Sequence, residues 1–93
     1  MIAFEVYLNG EKICTAGSNE ITSVTAAVNF FPKRYNRDKL GPALTVSGVA
    51  SRPEEFLDWA HRELRVGDRV EVQVVESYTP DKAFRTFRPA HAR

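Results

Sequence analysis

The sequence contains little of what marks several common classes of protein. Among its 93 residues there are one cysteine, Cys14, and two histidines. One cysteine excludes an intrachain disulfide, and small secreted domains usually carry several, so we expect a reducing, cytoplasmic location. No apolar stretch approaches the roughly 20 residues that span a bilayer, and the first ten residues lack the pattern of a signal peptide. We therefore predict no membrane association.

An excess of charge of one sign is also missing. The chain has 13 lysines and arginines against 12 acidic residues, which leaves a net charge of +1. Such a balance produces no overall field that would steer the protein to nucleic acid. The hydrophobic fraction of 43% and the charged fraction of 27% are those of an ordinary folded domain. We place a single globular domain at residues 1–79 and a basic C-terminal tail at residues 80–93.

Alternating apolar and polar residues predict several strands. Residues 2–8 alternate and are followed by Asn9-Gly10, the pair that favours a two-residue type I′ turn, so residues 11–16 should return as the second strand of a hairpin. In the simplest register Cys14 lies opposite Glu5, away from the apolar face. A one-residue bulge would instead turn Cys14 inward.

Three more segments are predicted to be strands. Residues 21–31 fit both a helical face and a strand face, and their β-branched and aromatic content favours a strand. Residues 43–50 form a shorter apolar segment. Residues 69–76 alternate strictly and give the clearest strand signal, with a polar face typical of an antiparallel sheet that has one side in solvent.

One short helix is predicted near residues 53–63. Ser51 is a suitable cap, Pro53 falls in the first turn and Glu54 stands at the capping-box position. Apolar residues then follow at helical spacing. The sequence therefore predicts an α+β, β-rich fold of about five mainly antiparallel strands and this helix, in which the sheet could curl toward a small barrel.

The residue types that carry chemistry are too few and too scattered to predict a reaction. Cys14 and His61 are the only conceivable nucleophile and base, and Cys14 falls in a predicted strand rather than at a helix start, where a thiolate is favoured. The acids Glu54, Glu55 and Asp58 are explained as complements to the helix dipole. We predict no catalytic residue, no metal ligand and no cofactor.

Two basic segments carry interleaved aromatic residues. Basic side chains neutralise phosphates and aromatic rings stack on bases, so loop 33–39 and tail 82–93 could bind nucleic acid if they are neighbours. Alternatively, the tail phenylalanines cover the sheet and the arginines keep an edge in solvent. The candidate surface consists of Lys33, Arg34, Tyr35, Arg37, Lys39, Phe84, Arg85, Phe87 and Arg88.

Taken together, these observations favour a non-catalytic protein-interaction or accessory domain with an unidentified protein partner. Binding of nucleic acid through the two basic segments is the alternative. An exposed edge strand could also pair with a second copy and form a homodimer. Aromatic residues often anchor interfaces, and the candidates here, if exposed, are Tyr7, Tyr35, Trp59, Tyr78 and the tail residues Phe84 and Phe87, although Trp59 fits the core better.

Overall fold

The computed structural model of the chain describes residues 1–17, 21–30, 41–51, 54–83 and 85–87. Within these residues the chain forms seven strands in two antiparallel sheets. The strands are β1 (Ile2–Leu8), β2 (Glu11–Ala16), β3 (Ile21–Asn29), β4 (Ala43–Ser51), β5 (Glu54–Glu63), β6 (Val70–Glu76) and β7 (Arg85–Phe87). The first sheet has the order β2-β1-β6 and the second the order β3-β4-β5-β7.

The helix predicted near residues 53–63 is wrong. That segment is β5, which hydrogen-bonds to β4 on one side and to β7 on the other. The described part of the fold is therefore all-β rather than α+β, and it contains two separate sheets rather than one sheet curled toward a barrel. Pairing with two neighbouring strands satisfies the backbone of β5 and outweighs its local capping signals.

A β-bulge explains why the sequence of β5 has helical spacing. The register against β4 shifts between Val46 and Ser47, which makes Trp59 an extra residue in β5. Leu57 and Ala60 are therefore both buried on the same face, although they lie three positions apart. Apolar residues three apart are also the signature of an amphipathic helix, so periodicity alone could not separate the two structures.

The hairpin predicted from Asn9-Gly10 is confirmed. Asn9 has a φ of 53° and Gly10 a φ of 84°, the left-handed values that a type I′ turn requires. The simple register is wrong, because the pairing shifts after Val6 and sets Cys14 opposite Val6 instead of Glu5. This is the bulged arrangement, and it buries the Cys14 side chain in the core.

The remaining strand predictions agree with the structure. Residues 21–29 form β3, which resolves the ambiguous segment in favour of a strand. The segments predicted at 43–50 and 69–76 correspond to β4 and β6. Tertiary pairing therefore follows the strand signals wherever the sequence alternates with period two.

The two sheets pack against each other over only part of their width. Across the layers, β2 lies closest to β5 and β1 lies closest to β3. The largest side chains that are fully buried between the sheets are Leu44, Val6 and Val46.

Gly48 lies where the second sheet leaves no room for a side chain. A Cβ atom at this position would lie 2.6 Å from the Ser23 backbone oxygen and 3.1 Å from the Trp59 ring. The missing side chain lets the indole of Trp59 approach the backbone of β4 at Gly48, where Trp59 is 7% exposed. This ring in turn holds the segment that leads from β6 to β7.

The described residues contain no helix that is long and apolar enough to cross a membrane.

Candidate functional site

Strand β6 forms an open edge of the first sheet. Among the described residues it pairs with β1 alone, in an uninterrupted register that runs from Ile2 opposite Glu76 to Leu8 opposite Val70. An edge strand presents a row of backbone N–H and C=O groups that can pair with another chain. The outer side of β6 is therefore a candidate binding surface.

The hydrogen bonds at the two ends of β6 show which backbone groups face that outer side. The Asn9 N–H donates to the Arg69 carbonyl at 2.8 Å, and the Ser77 N–H donates to the Met1 carbonyl at 2.8 Å. Hydrogen-bonded residues alternate along an antiparallel pair, so the odd-numbered residues 69–77 point their backbone groups at β1. The outward-pointing residues are the even-numbered ones: Val70, Val72, Val74 and Glu76.

Apolar side chains lie beside these outward backbone groups. Val72 and Val74 stand opposite Val6 and Phe4, on the face of the sheet that carries the core. They are nevertheless 41% and 63% exposed, and the adjacent Ile2 is 68% exposed. Because β1 lies opposite β3, the inner face of β6 extends beyond the overlap of the two sheets. Ile2, Val72 and Val74 are called the apolar strip below.

The other face of β6 is polar. Glu71 stands opposite Tyr7, and Gln73 stands opposite Glu5. The Tyr7 hydroxyl donates to Glu5 Oε1 at 2.8 Å, and this hydrogen bond, with a smaller contribution from burial, raises the pKa of Tyr7. Lys12 Nζ lies 3.5 Å from the same carboxylate. One side of the edge is therefore apolar and the other is solvated and charged.

The start of β6 is fixed by hydrogen bonds to the hairpin turn. Asn9 Oδ1 accepts from the Arg69 N–H at 2.9 Å, and Asn9 Nδ2 donates to Asp68 Oδ1 at 3.1 Å. Asp68 Oδ2 also accepts from the Arg65 N–H at 2.8 Å. The hydrogen bond from Arg65 and, to a smaller extent, the one from Asn9 lower the pKa of Asp68. The edge is thus held in an extended shape before any partner arrives, which reduces the entropy lost on binding.

The opposite edge of the first sheet, β2, is closed over part of its length. The Asp81 N–H donates to the Thr15 carbonyl at 2.9 Å, and the Thr15 N–H donates to Asp81 Oδ2 at 2.8 Å. Trp59 Nε1 donates to the Asp81 carbonyl at 2.9 Å. The segment that follows β6 therefore satisfies both backbone groups of Thr15, and the indole of Trp59 holds that segment in place.

The conceivable catalytic pair lacks the environment that a nucleophile needs. Cys14 is buried, and burial, with a smaller effect of the Asp81 carboxylate, raises the pKa of its thiol. A reactive thiol has a lowered pKa and access to solvent. His61 is exposed on β5, opposite Thr45. Neither residue has the surroundings of an activated group.

No feature of the described residues marks a metal or small-molecule site. The part of the chain that the structure describes contains no cluster of three or more residues able to hold a metal ion. It also contains no buried side-chain nitrogen or oxygen that lacks a hydrogen-bond partner. Two depressions of about 530 and 290 Å³ adjoin the hairpin turn, and their walls include Arg69 and Glu71 in the first and Lys12 and Arg62 in the second.

The predicted basic surface falls mostly outside the described residues. Arg85 and Phe87 belong to β7, where they pair with Asp58 and Phe56 of β5. The proximity of the two basic segments therefore stays a prediction. The members of that surface outside the described ranges are Lys33, Arg34, Tyr35, Arg37, Lys39, Phe84 and Arg88.

The predicted aromatic anchors differ in exposure. Trp59 is buried in the core, as predicted, but it lies on strand β5 rather than on the apolar face of a helix, whereas Tyr78 is 83% exposed just after β6. Tyr7 is half-buried on the polar face of the first sheet, and Tyr35 lies outside the described residues. The exposed apolar strip was missed by the sequence reasoning, because alternation identifies the inner side of β6 but not how far the other sheet covers it.

Comparisons with known proteins supply no further guide to function. No protein-family model, no curated protein and no solved structure matches this chain significantly. The function must therefore be inferred from the chemistry and geometry of the surface itself.

Proposed function

We propose that this chain is a non-catalytic protein-interaction domain that binds an extended polypeptide as an added strand along β6. The observation that carries the proposal is the combination, on one edge, of outward backbone groups at Val72 and Val74 with exposed apolar side chains at the same two positions. In strand addition the backbone hydrogen bonds provide affinity and the alternate side chains provide specificity.

The chemistry of β6 specifies the kind of segment that fits. Side chains of the added strand that lie over the apolar strip should be β-branched and apolar, because such cross-strand pairs are favourable. Side chains on the other face would meet Glu71 and Gln73, so they should be polar or basic. The expected partner segment is therefore extended, about seven residues long, and alternates valine-like with polar residues.

The environment of Cys14 supports a non-catalytic function. The buried thiol with its raised pKa argues against covalent catalysis at Cys14. The same buried, unpaired cysteine fits a reducing compartment, so a cytoplasmic location remains part of the proposal. Nucleic-acid binding remains the alternative proposed from sequence, and no described residue adds support to it.

Hydrogen exchange at β6 tests the proposal directly. The probe is a short synthetic peptide of alternating valine and threonine, unrelated to this sequence, added to isotope-labelled protein observed by NMR at a concentration at which the chain is monomeric. We expect the amide exchange of Val72 and Val74 to slow at least about tenfold, because these N–H groups become hydrogen-bonded. The amides of Glu71 and Gln73 already point at β1 and should change little.

A matched control separates backbone pairing from general hydrophobic contact. The same peptide, methylated on the alternate backbone nitrogens that would face β6, keeps its valines but cannot complete the ladder. It should not protect Val72 and Val74. The proposal is overturned if the unmodified peptide leaves the exchange of both amides unchanged at millimolar concentration, or if the methylated peptide protects them equally.

A further inference from the structure

We infer that the strand accepted by β6 is β6 of a second copy of this chain, antiparallel to the first, with Gln73 opposite Gln73 across a two-fold axis. This inference rests on the proposed function and names the partner. Its starting point is that the outer side of β6 is complementary to itself in hydrogen bonding and in apolar contact, and that one register sets no acid of β6 opposite another.

The hydrogen-bonding groups match in this register. An axis at Gln73 sets Val72 of one protomer opposite Val74 of the other, and Val70 opposite Glu76. All of these are outward-pointing residues, so each opposed pair can exchange two backbone hydrogen bonds. The four pairs give about eight hydrogen bonds and join the two three-stranded sheets into one of six strands.

The apolar contacts match as well. Val72 and Val74 lie on the inner face of both protomers, so the axis brings four exposed valines together as two neighbouring cross-strand pairs. Opposed β-branched side chains are among the favourable cross-strand pairs. The valines of each protomer thereby contact the two valines of the strip that the second sheet of the other protomer leaves exposed.

Charge and strand length favour this register over its neighbours. With the axis at Gln73, the middle residue of β6, all seven residues are paired, and Glu71 faces Val75 rather than another acid. Moving the axis to Val72 sets Asp68 opposite Glu76, a repulsive pair. Moving it to Val74 leaves only five residues paired within β6.

Shifts that set odd against even residues are excluded by side-chain direction. Such a register would place the apolar face of one protomer beside the polar face of the other, because successive side chains point to opposite sides. The carboxylate of Glu76 is itself held 2.7 Å from the terminal amino group of Met1, which offsets its charge at the end of the paired region. The Gln73-centred pairing is therefore the one that the residues of β6 favour.

Sedimentation equilibrium over a range of concentrations tests whether the second copy binds at β6. We expect the wild-type chain to be in monomer–dimer equilibrium, and Val74→Lys to weaken the dimer at least about tenfold by placing a cation against Val72 of the second copy. Val28→Lys is the matched control. It makes the same change at a valine that is 55% exposed on β3, an edge of the other sheet, and should leave the dimer unchanged.

Cysteine cross-linking tests the register. In the predicted pair Gln73 is not hydrogen-bonded across the axis, and such residues lie about 4.5 Å apart between Cα atoms, within the range that a disulfide spans. Gln73→Cys should therefore give a covalent dimer under mild oxidation. Glu71→Cys should not, because its counterpart lies several residues away across the axis. Cys14 is buried and serves as an internal control in the wild type.

The outcomes separate this inference from the proposal on which it rests. A chain that stays monomeric at every concentration, while the valine–threonine peptide still protects Val72 and Val74, overturns the second copy and leaves strand addition standing. A dimer that survives Val74→Lys, or that Val28→Lys disrupts instead, also overturns the inference. Loss of both the dimer and the peptide effect overturns both.

Discussion

The two edges of the first sheet are treated in opposite ways. At β2, a segment of the same chain supplies Asp81, which bonds to both backbone groups of Thr15, and the ring of Trp59 holds that segment. At β6, no such segment is found among the described residues, and exposed valines stand beside the outward backbone groups.

The two edges differ in the features that prevent pairing with other chains. Natural sheets usually protect edges with lysine, proline, bulges or a covering segment, because an uncovered edge can pair with other chains. The β2 edge has two of these devices, a bulge and the Asp81 segment. The β6 edge has an unbroken register without proline or lysine, so it retains the features that pairing needs.

Trp59→Ala should lower the free energy of unfolding more than any other substitution considered, because Trp59 holds the segment that closes the β2 edge. The substitution removes a buried ring and the donor to the Asp81 carbonyl, and large-to-small changes of this kind lower the free energy of unfolding by about 3–5 kcal/mol. Urea denaturation measures the change. Trp59→Phe keeps most of the packing and should be clearly less destabilising. Equal losses for the two variants would contradict packing as the main contribution.

Two proline substitutions should distinguish the residues of β6 whose N–H groups donate to β1 from those whose N–H groups point outward. Gln73→Pro removes a donor to β1 and should lower the free energy of unfolding by about 2–3 kcal/mol more than Val72→Pro. Proline at position 72 removes only an outward donor, a position where edge strands tolerate it. Denaturation is measured at protein concentrations low enough for the chain to be monomeric. Equal destabilisation would show that the assignment of inward and outward residues is wrong.

Asp81→Ala should open the β2 edge at a smaller cost. It leaves the buried Thr15 N–H without its acceptor, which lowers the free energy of unfolding by about 1–2 kcal/mol. Amide exchange at Thr15 should accelerate toward the rates of the outward amides of β6. Asp81→Asn keeps an acceptor oxygen and is expected to retain most of the protection; if it does not, the charge of Asp81 matters more than its position.

The smallest effect concerns pH and the start of β6. The hydrogen bonds from the Arg65 N–H and from Asn9 hold the pKa of Asp68 below its usual range. The resulting stability is present above the unfolded pKa of about 4 and is lost as the pH falls through the lowered folded pKa. Asp68→Asn should show a shallower fall in stability over this range in denaturation series at different pH. An unchanged slope would contradict the role assigned to Asp68.

Short-range patterns in the sequence predicted much of the fold. The Asn9-Gly10 pair identified the first hairpin, and strict alternation identified β6, because both depend on neighbouring residues. The helix prediction failed at β5, where a bulge at Trp59 sets buried residues three apart and imitates helical spacing. The same kind of irregularity moved Cys14 from one face of β2 to the other.

The candidate site could be predicted only in part, because its essential property is the exposure of Val72 and Val74, which depends on residues far away in the sequence. Alternation shows that Val72 and Val74 share one face, but their exposure depends on where β3 ends the second sheet. Similarly, nothing near Thr15 in the sequence indicates that Asp81, 66 positions later, closes its edge. Such long-range pairings decide which strand is left open, and a single sequence does not encode them in any local pattern.

The alternation of backbone direction along β6 has a consequence for how this protein can evolve. Val72 and Val74 have backbone groups that point away from β1 and side chains that are 41% and 63% exposed, whereas Glu71 and Gln73 are residues whose backbone joins β6 to β1. With the proposed pairing of β6, selection can therefore adjust self-association by single mutations at Val72 or Val74 without passing through unfolded intermediates. A lineage with that pairing could gain or lose the dimer repeatedly while the domain itself stays unchanged.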